Sequence, residues 1–249
     1  MEKCIQSVLN QSYSLIEHIF IDGDSTDGTL GILTDYGVRY PDKIRFISEP
    51  DRGAADAWNK GWKMAKGRIF GWLGADDMYV PHTVSTVVEF FQTNSEAYFV
   101  FGGCDFINEK DEVIRKHIIK DFNLKDAIND WAYIPTSSAF YRREVIEKVG
   151  FLDESTCAND LDYWIRVGKV FRIHRIEKVL SRFRKHKYSA TRSYKGSIRY
   201  AWESIIVSRR YGGNMFSSYK RYLRFLIIEP LEPVLGFSYP FLKKLLKIE

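Results

Sequence analysis

Carboxylates recur directly after short apolar runs. Asp22 and Asp24 follow EHIFI (17–21), Glu49 and Asp51 follow IRFIS (44–48), Asp76 and Asp77 follow IFGWL (69–73), and Asp105 follows AYFVFGGC (97–104). Runs of this length, rich in Ile, Val and Phe, read as strands. In open α/β sheets the ligand crevice lies beyond the carboxyl ends of the strands, so these acids are expected along one edge. Two consecutive carboxylates there suit a hard divalent ion such as Mg²⁺ or Mn²⁺, which takes oxygen ligands and bridges carboxylates to phosphates. The competing reading of Asp76 and Asp77 is a turn, where Asp is common; the clustering of Asp22, Asp51 and Asp76 favours the metal and polyanion site. Asp22 is poorly used as structure and suits a hydrogen bond to a nucleobase or ribose, whereas Asp27 and Thr29 are explained by capping the next helix.

The elements that would hold these residues alternate. CIQSVLNQS puts Ile5, Val8 and Leu9 on one helical face, TLGILTDYGVRY and ADAWNKGWKMAKG are helical between strands, and helix VSTVVEFFQTN precedes strand AYFVFGG. Alternation of this kind predicts an α/β protein with a mostly parallel sheet flanked by helices. After residue 107 the pattern loosens into an arm (DEVIRKHII), a short helix (KDAINDWA), a strand or loop running into a helix that stops at Gly150, helix ANDLDYWIRVGKVF, and strand-like IHRIEKVLSRFRKH. The 249 residues, 45% of them hydrophobic, can bury an ordinary core, which excludes disordered and fibrous classes. Three cysteines without C-x-x-C spacing exclude a disulfide framework and a cysteine zinc site, and the scattered histidines exclude an H-x-x-x-H metal pair.

Five motifs in order carry a family resemblance: IDGDSTDGT, SEPDRGAADAWNKGWKMAKG, GWLGADDMY, SAFYRREVIEKVGFLDES and NDLDYWIR. Over roughly residues 1–195 the chain resembles the family 2 glycosyltransferases of the GT-A (Rossmann-like) fold. The resemblance implies an inverting transferase that uses a nucleotide-sugar donor, a UDP-sugar in first place, and a divalent metal, Mg²⁺ or Mn²⁺. Position by position, it implies that Asp22 binds the nucleobase, that Arg52, Asp56 and Asn59 line the donor pocket, and that Asp76 holds the metal with Asp77 beside it on the donor. His186, in SRFRKHKYSATR, falls in a basic loop that folds over the donor phosphates; the alternative is a solvated charge run. Asp160 matches the general base. Asp160 and Asp162 can also be read as first-turn acids that favour the helix dipole.

Three departures stand beside the match. Gly74 replaces the first acid of the D-x-D motif, Asn159 replaces the Glu before the presumed base, and the family's first strand is missing, which leaves EHIFI exposed at a sheet edge. The expectation is a truncated form of a real transferase, acting on a glycan or lipid-linked acceptor in cell-surface polysaccharide synthesis. The rival readings are a non-catalytic relative that binds a glycan or partner enzyme, and a nucleotidyltransferase, which would need basic residues for a triphosphate near the N-terminus.

Of the tryptophans, Trp58, Trp62 and Trp72 read as core, and Trp131 could stack on a sugar. Ser137 and Ser138 have no histidine at a suggestive spacing, so a serine nucleophile is not expected. Charge is uneven: residues 172–249 hold 18 Lys+Arg against 5 Asp+Glu, net +13, whereas residues 1–171 are net −8. The basic residues are interleaved with apolar stretches and match no nucleic-acid module. The expected division is a GT-A domain, 1–195, followed by a helical basic and apolar segment, 196–249, with no run of about 18 apolar residues to span a bilayer. With no secretory signal at the N-terminus, the expected location is cytoplasmic, peripheral on the inner membrane face. The tail from Tyr219 should bind anionic membranes, with a salt-sensitive attraction and a salt-resistant apolar part. Liposome flotation of the full chain should exceed that of a chain ending at Arg210, and equal flotation of the two would exclude the tail.

Overall fold

The computed structural model describes residues 1–116, 119–129, 134–186 and 194–214. Trp131 and the tail from Tyr219 lie outside the described residues.

Helix α1 (Glu2–Leu9) buries Cys4, Ile5 and Val8, the face set by its helical spacing. Strand β1 (His18–Asp22) follows, then α2 (Thr29–Arg39) and β2 (Ile44–Ser48), which pairs in parallel with β1 and sets Phe20 opposite Phe46 and Asp22 opposite Ser48. Asp27 accepts the Thr29 N–H at 3.2 Å, as a helix-start acid should. Ile5, Phe20, Leu33, Tyr36 and Ile44 form the core of this unit. Helix α3 (Ala54–Met64) packs on β1 and leads to β3 (Ile69–Gly71), β4 (Met78–Tyr79), α4 (Thr83–Thr93), β5 (Phe99–Ile107) and β6 (Val113–Lys116). The remaining elements are α5 (Leu124–Asn129), a 3₁₀ turn (Thr136–Ser138), β7 (Ala139–Arg142), α6 (Arg143–Val149), α7 (Asn159–Val170), β8 (Ile173–Arg184) and α8 (Tyr194–Arg210).

The fold is α/β with helices flanking the sheets, but the sheets are mixed, which corrects the expectation of mostly parallel pairing. The larger one runs β3-β7-β5-β8-β4, with β6 also on β5. Among the described strands only β1–β2 and β5–β8 are parallel; β3–β7, β5–β7, β5–β6 and β4–β8 are antiparallel. Strand–helix alternation stops at residue 107, and parallel pairing needs a crossover. Instead a tight turn, closed by Asn108 N–H on Glu112 O at 3.0 Å, returns the chain as β6, and β7 enters straight from the 3₁₀ turn. Among the described strands β1 pairs only with β2, and β3 only with β7.

An aromatic platform joins the elements that carry the acids. Trp72, just past β3, lies 5.1 Å from Trp164 of α7 with rings at 29°, and 4.2 Å from Trp58 of α3. Trp62 reaches Tyr163 at 5.3 Å, and Phe99 of β5 stacks on Tyr141 of β7 at 5.5 Å. Trp62, Trp72 and Trp164 are all buried, and the Trp72 indole N–H donates to the Tyr141 hydroxyl, which satisfies both polar ends. Packing of this density fixes α3, the end of β3 and α7 against one another. Ser137 and Ser138 are occupied in a buried network with Ser181, at 3.0 and 2.6 Å, and Ser138 also donates to Gly103 O.

Candidate functional site

At the end of β1, buried Asp22 accepts two hydrogen bonds on Oδ2, from Ser48 Oγ at 2.7 Å and Ser25 N–H at 3.1 Å. Burial works against its charge, but the bonds from Ser25 and Ser48 outweigh it and hold the carboxyl below the ordinary carboxylate range. The neighbouring strand ends are in contact: a Cβ on Gly23 would lie 2.6 Å from Asp51 Oδ2, so a larger residue there would displace the Asp51 carboxylate from the β1 turn.

The start of α3 carries an ion-pair network. Asp56 accepts the Arg52 N–H at 3.0 Å and pairs with the Arg52 guanidinium at 3.3 Å and with Lys60 at 3.5 Å; the Arg52 backbone bond is the main reason its carboxyl lies below its usual range. Arg52 also reaches Glu154 at 2.6 Å, and Lys60 reaches Glu49 at 2.8 Å. Asn59 is 3% exposed and spends its amide on one loop: Nδ2 donates to Leu152 O at 3.1 Å and Glu154 Oε1 at 2.9 Å, and Oδ1 accepts the Leu152 N–H at 3.0 Å.

The turn after β3 splits its two acids. Asp76 keeps a side chain 43% exposed and meets His186 Nε2 at 2.8 Å across 110 residues of sequence. Asp77 is buried, and its Oδ1 accepts the Arg184 N–H at 2.9 Å; burial pushes its carboxyl up to about 7 against that bond. Arg184 clamps the turn further through Asp76 O at 3.0 Å and Asn108 O at 2.7 Å, and pairs with Asp111. A Cβ on Gly74 would sit 3.0 Å from both Asp76 Oδ1 and Asp77 Oδ2. A side chain at position 74 would therefore be tight against the two carboxylates that remain, which would have to give by a few tenths of an ångström.

The α7 acids part company because residues two apart on a helix lie about 200° apart around its axis. Asp162 is 1% exposed and held by Arg166 at 2.7 Å, Arg210 at 3.2 Å and the Tyr211 hydroxyl at 2.8 Å. Asp160 is half-buried and accepts the Tyr200 hydroxyl at 2.9 Å and its neighbour's N–H, Leu161, at 2.7 Å. Burial pushes its carboxyl above the ordinary range, and those two bonds oppose the shift. A carboxylate of raised proton affinity at a half-open helix start can accept a proton from a nearby hydroxyl.

Residues 1–150 match the family model described as Glycosyl transferase family 2. The chain belongs to that family. It is 35% identical over 161 residues to an uncharacterized glycosyltransferase of Nostoc sp. (strain PCC 7120), a match covering 61% of this chain and 50% of the relative. Among solved structures it superposes on a mannosyltransferase from Pyrobaculum calidifontis, solved with GDP-Man and Mn²⁺, with TM-score 0.65 and 18% identity over 90% of this chain and 64% of that one. The likeness to S. aureus TarS 1–349 in complex with UDP has TM-score 0.56 and 16% identity, over 90% and 66%. The fold is GT-A. The chain thus spans about half the length of the Nostoc relative.

Within this family 2 domain the residues read from sequence fall into four groups: Asp22 with the β1 turn, Arg52 and Asp56 with Asn59, Asp76 and Asp77 with His186, and Asp160 on its own helix. Glu154 bridges Arg52 and Asn59 within their group, and the Trp72–Trp164 stack joins the turn holding Asp76 to the helix holding Asp160. Glu154, Arg184 and Tyr200 were missed, because each acts on a residue distant in sequence; the only local signal was FLDES, which already contains Glu154.

Proposed function

We propose that this chain transfers a sugar from a nucleotide-sugar donor to an acceptor hydroxyl with inversion, a UDP-sugar being the first donor to test and a glycan or lipid-linked molecule of the cell surface the acceptor. The observation that carries the reading is the Asp76–His186 pair beside buried Asp77 at the carboxyl end of β3. The Asp76 carboxylate suits Mn²⁺ or Mg²⁺, both of which take oxygen ligands. Among the described residues no three metal-ligating side chains stand together, so the protein would supply the Asp76 carboxylate, with His186 hydrogen-bonded to it, and the diphosphate and water the rest. When bound, a divalent cation would offset charge gathering on the departing diphosphate.

The chain's own residues supply recognition and proton transfer. Asp22, kept ionised by Ser25 and Ser48, accepts a ring N–H of the base, which uracil and guanine both present. Arg52 offers a cationic side chain, 75% exposed, at the mouth of the donor side. Asp160 takes the proton of the acceptor hydroxyl as its oxygen attacks the anomeric carbon opposite the leaving diphosphate, and this single displacement inverts the configuration.

Calorimetry with UDP and GDP in Mn²⁺ tests the donor side. Chelator and Asp76→Ala should each weaken binding by roughly 10–100-fold, the usual scale for damage to a metal shell. Binding that is unchanged in chelator removes the metal from the proposal.

A further inference from the structure

Helix α8 lies beyond the residues matched by the family model, yet it grips the segment that carries Asp160 at several points. Glu203 Oε2 accepts from Thr156 Oγ1 at 2.9 Å and from the Cys157 N–H, and is braced by Arg199 at 2.7 Å. Arg210 pairs with Asp153 at 2.8 Å and with Asp162. Ala158, Leu161 and Ile165 pack with Val207, Tyr200 and Tyr211 between these polar ties.

The acids from 153 to 162 do not receive the same partners. Asp153 meets Arg210, Glu154 meets Arg52, and Asp162 meets Arg166 and Arg210. Asp153, Glu154 and Asp162 accept from neutral donors as well, but among the described contacts Asp160 alone of the four has no guanidinium, its side-chain partner being the Tyr200 hydroxyl at 2.9 Å. A guanidinium in that place would hold the carboxylate in an ion pair and strip it of basicity. The phenol adds one neutral hydrogen bond to Oδ1, which also accepts the Leu161 N–H, and Oδ2 has no partner among the described contacts.

We propose that Tyr200 is a positioning residue, its hydroxyl held by α8 so that it aims the Asp160 carboxylate at the acceptor. The inference rests on the reading of Asp160 as the base, and its test separates the two.

The first readout needs no substrate. In the full chain with ¹³C-labelled aspartate carboxyls, the Asp160 resonance is assigned by its loss in Asp160→Asn. Tyr200→Phe removes one oxygen. The Asp160 titration midpoint should then move upward, because the hydroxyl donates to the ionised form. The other charged groups on α5, α6, α7 and α8 are the same in both proteins, among them Asp126, Lys148, Asp162, Arg166, Glu203 and Arg210. 3-Fluorotyrosine at position 200, a stronger donor of nearly the same shape, should move the midpoint downward and serves if the Phe variant folds poorly. The second readout is release of UDP from UDP-GlcNAc and of GDP from GDP-mannose. Tyr200→Phe should lower kcat by about tenfold at unchanged KM, the scale of a misaimed group.

An unmoved midpoint together with unchanged kcat, while Asp160→Asn abolishes turnover, overturns Tyr200 and leaves the base standing. A shifted midpoint with full turnover in Asp160→Asn removes the base reading and, with it, the catalytic meaning of the contact.

Discussion

Asp160→Asn is expected to lower turnover by about 10²-fold or more while donor affinity and thermal midpoint stay close to those of the parent protein. Asparagine keeps the shape and can still accept from Tyr200 and from the Leu161 N–H, but it cannot take the acceptor's proton. The pH dependence carries a sign. Burial raises the affinity of Asp160 for its proton, so the ionised base is lost as pH falls through a value above the ordinary carboxylate range, and activity should decline on the acid side earlier than a surface Asp would dictate. Asp162→Asn is the contrast. It loses the charge held by Arg166 and Arg210 in a site 1% exposed, so it should cost stability, about 1.5–3 kcal/mol, and little of the chemical step. Steady-state kinetics and thermal melts on the two variants separate the roles, and equal activity in both would leave Asp160 as a helix-start acid.

Trp72→Ala should destabilise the fold by about 3–5 kcal/mol, the usual cost of emptying a buried aromatic site. Trp72 is 4% exposed and touches Trp58, Trp62, Tyr141, Tyr163 and Trp164, so no single neighbour can collapse into the space. For a chain of this length that loss corresponds to a fall in melting midpoint of roughly 10 °C. Trp58→Ala, at a partly buried position on the rim of the same cluster, should lose clearly less. Comparable small losses in both, followed by calorimetry or near-ultraviolet circular dichroism, would mean that the cluster does not fix β3 against α7.

Local patterning carried much of the fold. IRFIS is a strand over Ile44–Ser48 as read, the face of Ile5 and Val8 is the buried face of α1, Asp22 ends β1, and the acids read after IRFIS and IFGWL lie beyond β2 and β3. Asp105 is a correction: expected to follow a strand, it lies inside β5, where buried Phe106 and Ile107 carry the strand on. Burial and hydrogen bonding along the chain act over a few residues, so such signals survive in one dimension. The separation of Asp160 from Asp162 is of the same kind, since 3.6 residues per turn place them on different sides of one helix. Strand direction was not local: β5 is parallel to β8 but antiparallel to β7, and that depends on whether a crossover helix or a short turn brings the next strand in.

Apart from the i,i+4 pairs Arg52–Asp56, Lys60–Asp56 and Arg166–Asp162, the partners of the acids were beyond the sequence for the same reason. Asp76 and Asp77 are adjacent, yet one is left open beside His186 and the other is buried under Arg184, because the turn at Gly74 directs one carboxylate outward and the other into the protein. Asn59 looks like a pocket residue in AADAWNKG but is tied to Leu152 and Glu154, about 95 residues away in sequence. The cations given to Asp153, Glu154 and Asp162, and the phenol given to Asp160, come from the turn before α3, from α7 and from α8. Residue types and spacing determined which acids stand at strand and helix ends. Tertiary packing decided which of them keep a free edge, because burial and ion pairing depend on what other segments bring within a few ångströms, which sequence separation does not encode.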